Sequence, residues 1–285
     1  MANIRIVTDS TADIPESVRK QYGIEMVPLK VHFGTETYLD SVTIQADEFY
    51  EKLKSAASLP TTSQPSPADF LNVYKRLIGE QPGAQIISIH LSSAMSGTYQ
   101  SAVLAESMLE GEADISVVDS KSASYGFGML VVEAAKAAQE GKSKEEILEL
   151  ITNIRNNTRI YFLVDTLEYL QKGGRIGKAA ALFGSLLNIK PILTIDSDGE
   201  VSSVDKVRGQ KKAMGRIVEL LKEEFGEREL ALTIASSAEP KTEEEFSQLL
   251  RDHFRVRDIT YTKIGPVIGT HAGPGTIAAF AVPVS

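Results

Sequence analysis

Apolar and polar positions follow two textures along the chain, and the change falls near Arg159. Before it, short β-rich runs are separated by longer segments of helical period, the pattern of α/β units around a mainly parallel sheet. Ile4 to Val7 is the first run, and Ile86, Ile87 and Ile89 carry another. Pro15 suits the first turn of a helix that Gly23 ends. Val27, Leu29, Val31 and Phe33 alternate with Pro28, Lys30 and His32, which predicts one strand with a wet face, at an edge because of the proline, and places His32 at the surface. Ser66-Pro67-Ala68-Asp69 has the cap, early proline and acid of a helix start, and predicts a helix to about Ile78. Ser143 to Glu146 and Thr242 to Glu245 read as capping boxes, the second opening a charged helix that leaves His253 solvated. After Arg159, the runs RIYFLVDTL, KPILTID, EVSSVDKV, ELALTIASS and DITYTKIG predict strands, with Asp198-Gly199 as a hairpin turn between two of them. The expectation is an α/β protein of two domains: residues 1–157 with a mainly parallel sheet, and 158–285 of α+β type with antiparallel pairs.

Composition narrows the class. At 285 residues the chain is long enough for two cores, and 30 basic against 38 acidic residues give a net charge of −8. That balance argues against nucleic acid or anionic lipid as a partner. No segment reaches the roughly 18 apolar residues of a membrane span, and MANIRIVTDS enters a strand without the features of a signal peptide. The absence of cysteine excludes disulfides and thiolate chemistry. A cytoplasmic address is expected.

Chemistry gathers in hydroxyl-rich segments. Ligands of open parallel sheets sit at the carboxyl ends of strands, and DSTAD, SSAMSGT and DSKSAS each follow a predicted strand, while TTSQPS precedes the capped helix. Any one such segment is more often a cap or turn than a site, and Ser66 is a cap. Five hydroxyls within ten residues after Ile89 exceed what capping needs, which favours function for Thr62, Ser63, Ser93 and Ser96. Neutral donors of this kind, with Gly97 permitting close approach, suit a small anionic group. His271, set in GTHAGPG, lies on tight backbone of the sort that lines a site; His90 is ambiguous.

Other chemistries fail on spacing. In KGGRIGKAA, Lys172 stands where a P-loop needs its first glycine and Ala179 where it needs a hydroxyl. Gly126-Phe127-Gly128 lacks the third glycine of a dinucleotide fingerprint, because Val131 stands there. No H-E-x-x-H or D-x-D-x-D-G pattern supports a metal. The rival is a serine esterase or thioesterase using Ser93 or Ser96 with His271, since Ser93, Asp165 and His271 follow the chain order of the α/β-hydrolases, although no G-x-S-x-G elbow occurs.

VTDSTADIP, TTSQPS, LSSAMSGTYQSA, VVDSKSASYG, DTLEYLQKGGRIG, LLNIKPIL and GPVIGTHAGPG, in this order and spanning nearly the whole chain, closely resemble the DegV family. The resemblance implies a two-domain fold with a lipid tunnel between the domains, holding one long-chain fatty acid. It implies a non-catalytic role as the fatty-acid-binding subunit of bacterial fatty acid kinase. The carboxylate is then presented to a separate catalytic subunit and phosphorylated to an acyl phosphate for phospholipid synthesis, with ATP and magnesium belonging to that partner and no cofactor here. Carried onto this sequence, the carboxylate ligands are Thr62, a serine of SSAMSG with Ser93 foremost, and His271. Ser63, Ser96, Thr61 and Ser92 are the alternatives that the motif leaves open. Arg175, in a basic cluster with Lys172 and Lys178, and Ser10 are the further head-group or partner contacts. The apolar run Ala179 to Leu187 reads as a buried helix or a cavity wall.

Overall fold

The computed structural model describes residues 3–111, 113–184, 189–237 and 239–284. The chain divides into two compact units: Met1–Asn156 with Gly265–Val267, and Asn157–Ile264 with Ile268–Ser285.

In the first unit, β1 (Ile4–Asp9), β2 (Glu25–Val27), β6 (Gln85–His90) and β7 (Asp114–Asp119) form a parallel sheet in the order β2-β1-β6-β7. Such strands are buried on both faces and read as near-continuous apolar runs. Val7, Val27 and Ile86 pack against α3 (Pro67–Glu80) through Phe70, Tyr74 and Leu77, and against α4 (Thr98–Ser107) through Ala102 and Ala105. Helix α5 (Tyr125–Gln139) packs on β1, and α1 (Glu16–Tyr22) packs on α5. The capping box at the start of α3 is complete: Asp69 N–H donates to Ser66 Oγ and Ser66 N–H donates to Asp69 Oδ2. Ser143 and Glu146 make the same reciprocal pair ahead of α6 (Lys144–Asn157).

The single strand expected over Val27 to Phe33 is two strands in two sheets. β2 ends at Val27, and β3 (Lys30–Phe33) lies between β4 (Glu36–Leu39) and β5 (Thr61–Ser63) in a separate antiparallel sheet. Pro28 has no N–H for a ladder, and the N–H of Leu29 goes instead to Ser10 Oγ at 3.0 Å. The alternation persists because Val27, Leu29 and Val31 are all buried, but the hydrogen-bond partner changes at the proline. Helix α2 (Ala46–Ser55) follows β4 in the chain.

The second unit is a six-stranded sheet in the order β10-β9-β8-β13-β11-β12, built from β8 (Arg159–Leu163), β9 (Ile189–Ile195), β10 (Val201–Arg208), β11 (Leu230–Ser236), β12 (Val256–Lys263) and β13 (Ile277–Pro283). All pairs are antiparallel except β11 with β12. The β9–β10 hairpin turns at Asp198-Gly199, with Gly199 at φ 82°. Met214, Ile217, Val218 and Leu221 of α8 (Gln210–Phe225), and Phe246 and Leu250 of α9 (Pro240–His253), cover the sheet at i, i+3, i+4 spacing. Helix α9 starts two residues before the box read at Thr242, because Pro240 takes the first helical position behind Glu239. Between β8 and β9 lie α7 (Glu168–Lys172) and a short 3-10 turn, Gly177–Leu182. A buried helix over the run from Ala179 is not formed among the described residues: Ala179 is buried, but Ala180 and Ala181 are exposed and Phe183 is 48% exposed. Residues 185–187 of that run lie outside the described residues. Helix α10 (Pro266–Ala272) precedes β13. No helix among the described residues is long and apolar enough to cross a membrane.

Candidate functional site

Two of the hydroxyl clusters meet in the first unit. Gln64, just past β5, lays its carboxamide against Gly97, where a Cβ would overlap it, and donates to Ser101 Oγ at 3.4 Å. TTSQPS and SSAMSGT are therefore in contact, and a side chain at position 97 would displace the carboxamide of Gln64. Within β5, direction is set by the two-residue period. Thr62 pairs with Val31, which is fully buried, whereas Thr61 pairs with His32. Thr61 and Ser63 thus share the face of His32 while Thr62 lies on the face of Val31. Ser63 is taken up by that arrangement: His32 Nε2 meets Ser63 Oγ and Nδ1 meets Thr37 Oγ1, both at 2.9 Å. His32 is half-buried and bonded rather than a free surface residue.

The turn after β6 is held by side chains. Ser92 is fully buried and its Oγ accepts the N–H of Ala94. Ser93 donates its hydroxyl to Asp119 Oδ2 at 2.5 Å and its N–H to Asp119 Oδ1 at 3.2 Å. Ser96 Oγ lies 2.9 Å from Thr98 Oγ1 and accepts the N–H of Thr98. One hydroxyl joins Ser96 to Thr98, so of their two protons one is not consumed by that bond. Ser10 is buried and its hydroxyl accepts the N–H of Leu29.

His90 is fully buried, and its surroundings have the connectivity of a triad. Nε2 lies 2.6 Å from Ser88 Oγ, Nδ1 lies 3.0 Å from Asp9 Oδ2, and Tyr74 Oη donates to Ser88 at 2.8 Å. Ser88 and His90 stand two apart on β6 and face α3 together. All three triad members are fully buried, so the group ties β1 to β6 rather than meeting a substrate. Asp9 Oδ2 also accepts the N–H of Leu91, which anchors the start of the serine turn.

In the second unit the motif loops interlock through glycines. A Cβ on Gly173 would overlap His271 Nδ1, one on Gly273 would enter the ring of Tyr169, and one on Gly275 would overlap the carboxylate of Asp165. The segments DTLEYLQKGGRIG and GTHAGPG are thereby packed backbone to side chain. Burial first, then the charge of Arg175, holds His271 down at about 4 against an ordinary 6.5, so the imidazole is neutral at neutral pH and carries one N–H donor. Arg175 donates to the carbonyl of Gly173 at 2.7 Å. Asp165 pairs with Lys190 at 3.0 Å, and the proton of Ser93 points to Asp119. The hydroxyl of Ser93 is thus directed to a carboxylate rather than to an imidazole. Among the described residues no cluster of three or more His, Cys, Asp and Glu side chains could hold a metal.

Asp119 and Gln64 are the site residues that residue-type reasoning passed over, although both lie inside quoted motifs; their spacing carries no sign of the partners they find.

Residues 3–284 match the family model described as "Uncharacterised protein, DegV family". The chain is 41% identical over 283 residues to DegV domain-containing protein TTE1491 of Caldanaerobacter subterraneus, covering 98% of this chain and 99% of that protein. Among solved structures it is similar to a DegV family protein from Thermus thermophilus described by its fatty acid binding, with TM-score 0.92 and 37% identity over 99% of this chain and all of that one. It is also similar to a stearic acid-binding protein from Eubacterium ventriosum, with TM-score 0.89 and 26% identity over 99% of this chain and 98% of that one. With the motifs, the parallel and antiparallel sheets and a family match over essentially the whole length in agreement, the chain belongs to the DegV family.

Proposed function

We propose that this protein is a cytoplasmic, non-catalytic carrier that binds one long-chain fatty acid and grips its carboxylate with neutral donors. The observation that carries this reading is the whole-length likeness, at 37% identity, to a Thermus thermophilus relative described as binding fatty acid. Thr62, on the face of β5 opposite Thr61, supplies one hydroxyl. The Ser96–Thr98 pair supplies a second proton, and the neutral imidazole of His271 a third. Ser93 donates to the ligand only by leaving Asp119, so in the resting protein it orders the turn instead. Hydrogen bonds to a carboxylate are worth about 1.5 to 3 kcal/mol each, while each buried methylene of the tail adds about 0.8 kcal/mol. The tail therefore dominates affinity and the head group sets orientation.

The reading extends to a partner. The carrier presents the carboxylate to a separate kinase subunit, which supplies ATP and magnesium; the carboxylate oxygen attacks the γ-phosphorus, ADP leaves and an acyl phosphate forms for phospholipid synthesis. The family resemblance supports this step.

Native mass spectrometry of purified protein, followed by solvent extraction and titration with oleate and palmitate, tests the carrier. A bound species of fatty-acid mass is expected. Protein that is repeatedly empty and fails to bind either acid overturns the reading, as does stoichiometric labelling of Ser93 or Ser96 by a fluorophosphonate probe. Acyl phosphate formation with ATP, magnesium and the kinase subunit tests the second step, where Thr62→Ala and His271→Ala should lower turnover more than lipid content. A displacement of the oxygens by about 1 Å costs on the order of 100-fold in rate.

A further inference from the structure

Three aspartates of the first unit, Asp9, Asp13 and Asp40, are buried near one another, and the fold uses two of them on the same short segment. Asp13 Oδ1 accepts the N–H of Gly265 at 3.0 Å, and Asp40 Oδ1 lies beside the same glycine. A Cβ on Gly265 would press on Asp13 Oδ1 and stand 3.6 Å from Asp40 Oδ1, so the glycine fits between both carboxyls. Around them the backbone is strained. Asp13 at φ 51°, Ser41 at φ 60° and Ser124 at φ 53° are three of the five non-glycine residues with positive φ among the described residues. Ser124 bonds Asp13 Oδ2 at 2.5 Å, and Ser41 donates to Asp40 Oδ1 at 3.2 Å. Strain concentrated on one contact marks a position that the surrounding structure over-determines.

Residues 265–267 open α10, and His271 stands in its last turn. We propose that Asp13 and Asp40 are positioning residues, a buried carboxyl clasp at Gly265 that sets the start of α10 and thereby the helix that carries His271. The consequence for the ligand rests on the reading of His271 as a head-group donor; the clasp itself does not.

The chemistry of the clasp favours one proton on the pair. Burial, then the charge of Asp40, with Asp9 adding to it, raises Asp13 well above the ordinary carboxylate range, and burial raises Asp40 to about 6. Arg19, half-buried on α1 and donating to the carbonyl of Ile14 at 3.3 Å, is the cation whose field reaches Asp40. A neutral Asp13 keeps Oδ1 on Gly265 N–H, while Ser124 Oγ donates to Oδ2. An amide at position 13 keeps the Gly265 bond and meets Ser124 Oγ with its own N–H; an alanine keeps neither.

Hydrogen exchange read by mass spectrometry on the full chain, paired with oleate dissociation rates, tests the clasp. Asp13→Ala should speed exchange at Gly265, Val267 and Ile268 about tenfold or more, with the amides of β11 and β12 unchanged, while Asp13→Asn stays near the parent. After correction for intrinsic rates, raising the pH should loosen the same amides in the parent and not in Asp13→Asn. This second comparison decides the matter if Asp13→Ala does not fold. Parental exchange in Asp13→Ala, equal loosening in Asp13→Asn, or identical pH profiles for parent and Asp13→Asn would each overturn the clasp. Oleate should leave Asp13→Ala faster than the parent. A parent that binds no oleate yet shows the expected exchange pattern sustains the clasp and removes only the ligand reading.

Discussion

In the first unit the turn after β6 is held by side chains that are present: Ser93 on Asp119, Ser96 on Thr98, and Asp9 on the backbone of Leu91. In the second unit the loops around α7 and α10 are held by side chains that are absent, at Gly173, Gly273 and Gly275. The two constructions fail differently. A hydrogen-bonded turn that loses one partner keeps its backbone and forfeits a bond, whereas a Cβ forced into an interlock must move the backbone or the ring it meets.

The largest effect should therefore follow from the second construction. Gly273→Ala combines φ 80° with overlap of the Tyr169 ring, and should cost about 3 kcal/mol or more by thermal or urea denaturation. Gly174→Ala, at φ 68° but with nothing within 4 Å, should cost about 1 kcal/mol. Equal losses at the two positions would break the distinction between an interlock and an ordinary left-handed turn.

Acidity gives the next contrast, with opposite signs in the two units. Asp40 is raised to about 6, so its contribution is full below its ordinary value and is lost as pH rises through about 6. His271 is lowered to about 4, so its contribution is full above its ordinary value and is lost as pH falls through about 4. Between pH 7 and pH 4 the parent should gain about 2 kcal/mol against Asp40→Asn. Over the same range it should lose about 1 kcal/mol against His271→Gln, less because His271 is only partly shielded from solvent. Melting temperatures of the three proteins across that range measure both, and matching slopes would show that burial does not govern these two groups.

The smallest contrast lies within one strand. Thr62→Ala should weaken oleate binding by about tenfold, the loss of one bond to a carboxylate, and Thr61→Ala should leave it within about twofold. Titration calorimetry separates them. The reverse order would put the head group on the face of β5 that His32 and Ser63 occupy.

Much of the first unit was legible because its devices are local. The capping boxes at Ser66 and Ser143 need only residues three apart, and both are complete. The parallel and antiparallel sheets followed from apolar runs and the Asp198-Gly199 turn. The strand over Val27 to Phe33 misled because alternation records burial, not which ladder a backbone joins; Pro28 was the available sign of a break. For the run from Ala179 the buried-helix alternative fails among the described residues for a related reason, since an apolar composition does not guarantee a surface to cover it, and Phe183 stands half exposed.

The sequence by itself determined the elements, the sheet types, the family and the identity of the hydroxyl, imidazole and glycine motifs, because each of those is written in a few adjacent residues. The partners of those motifs were decided only in three dimensions. Asp119 reaches Ser93 across 26 positions, His90 reaches Asp9 across 81, and Asp13 reaches Gly265 across 252. A buried polar group must find a hydrogen-bond partner wherever the packing places one. Which donor a carboxylate meets, and so which serine proton is already spent, is a property of the packed units and not of the spacing along the chain.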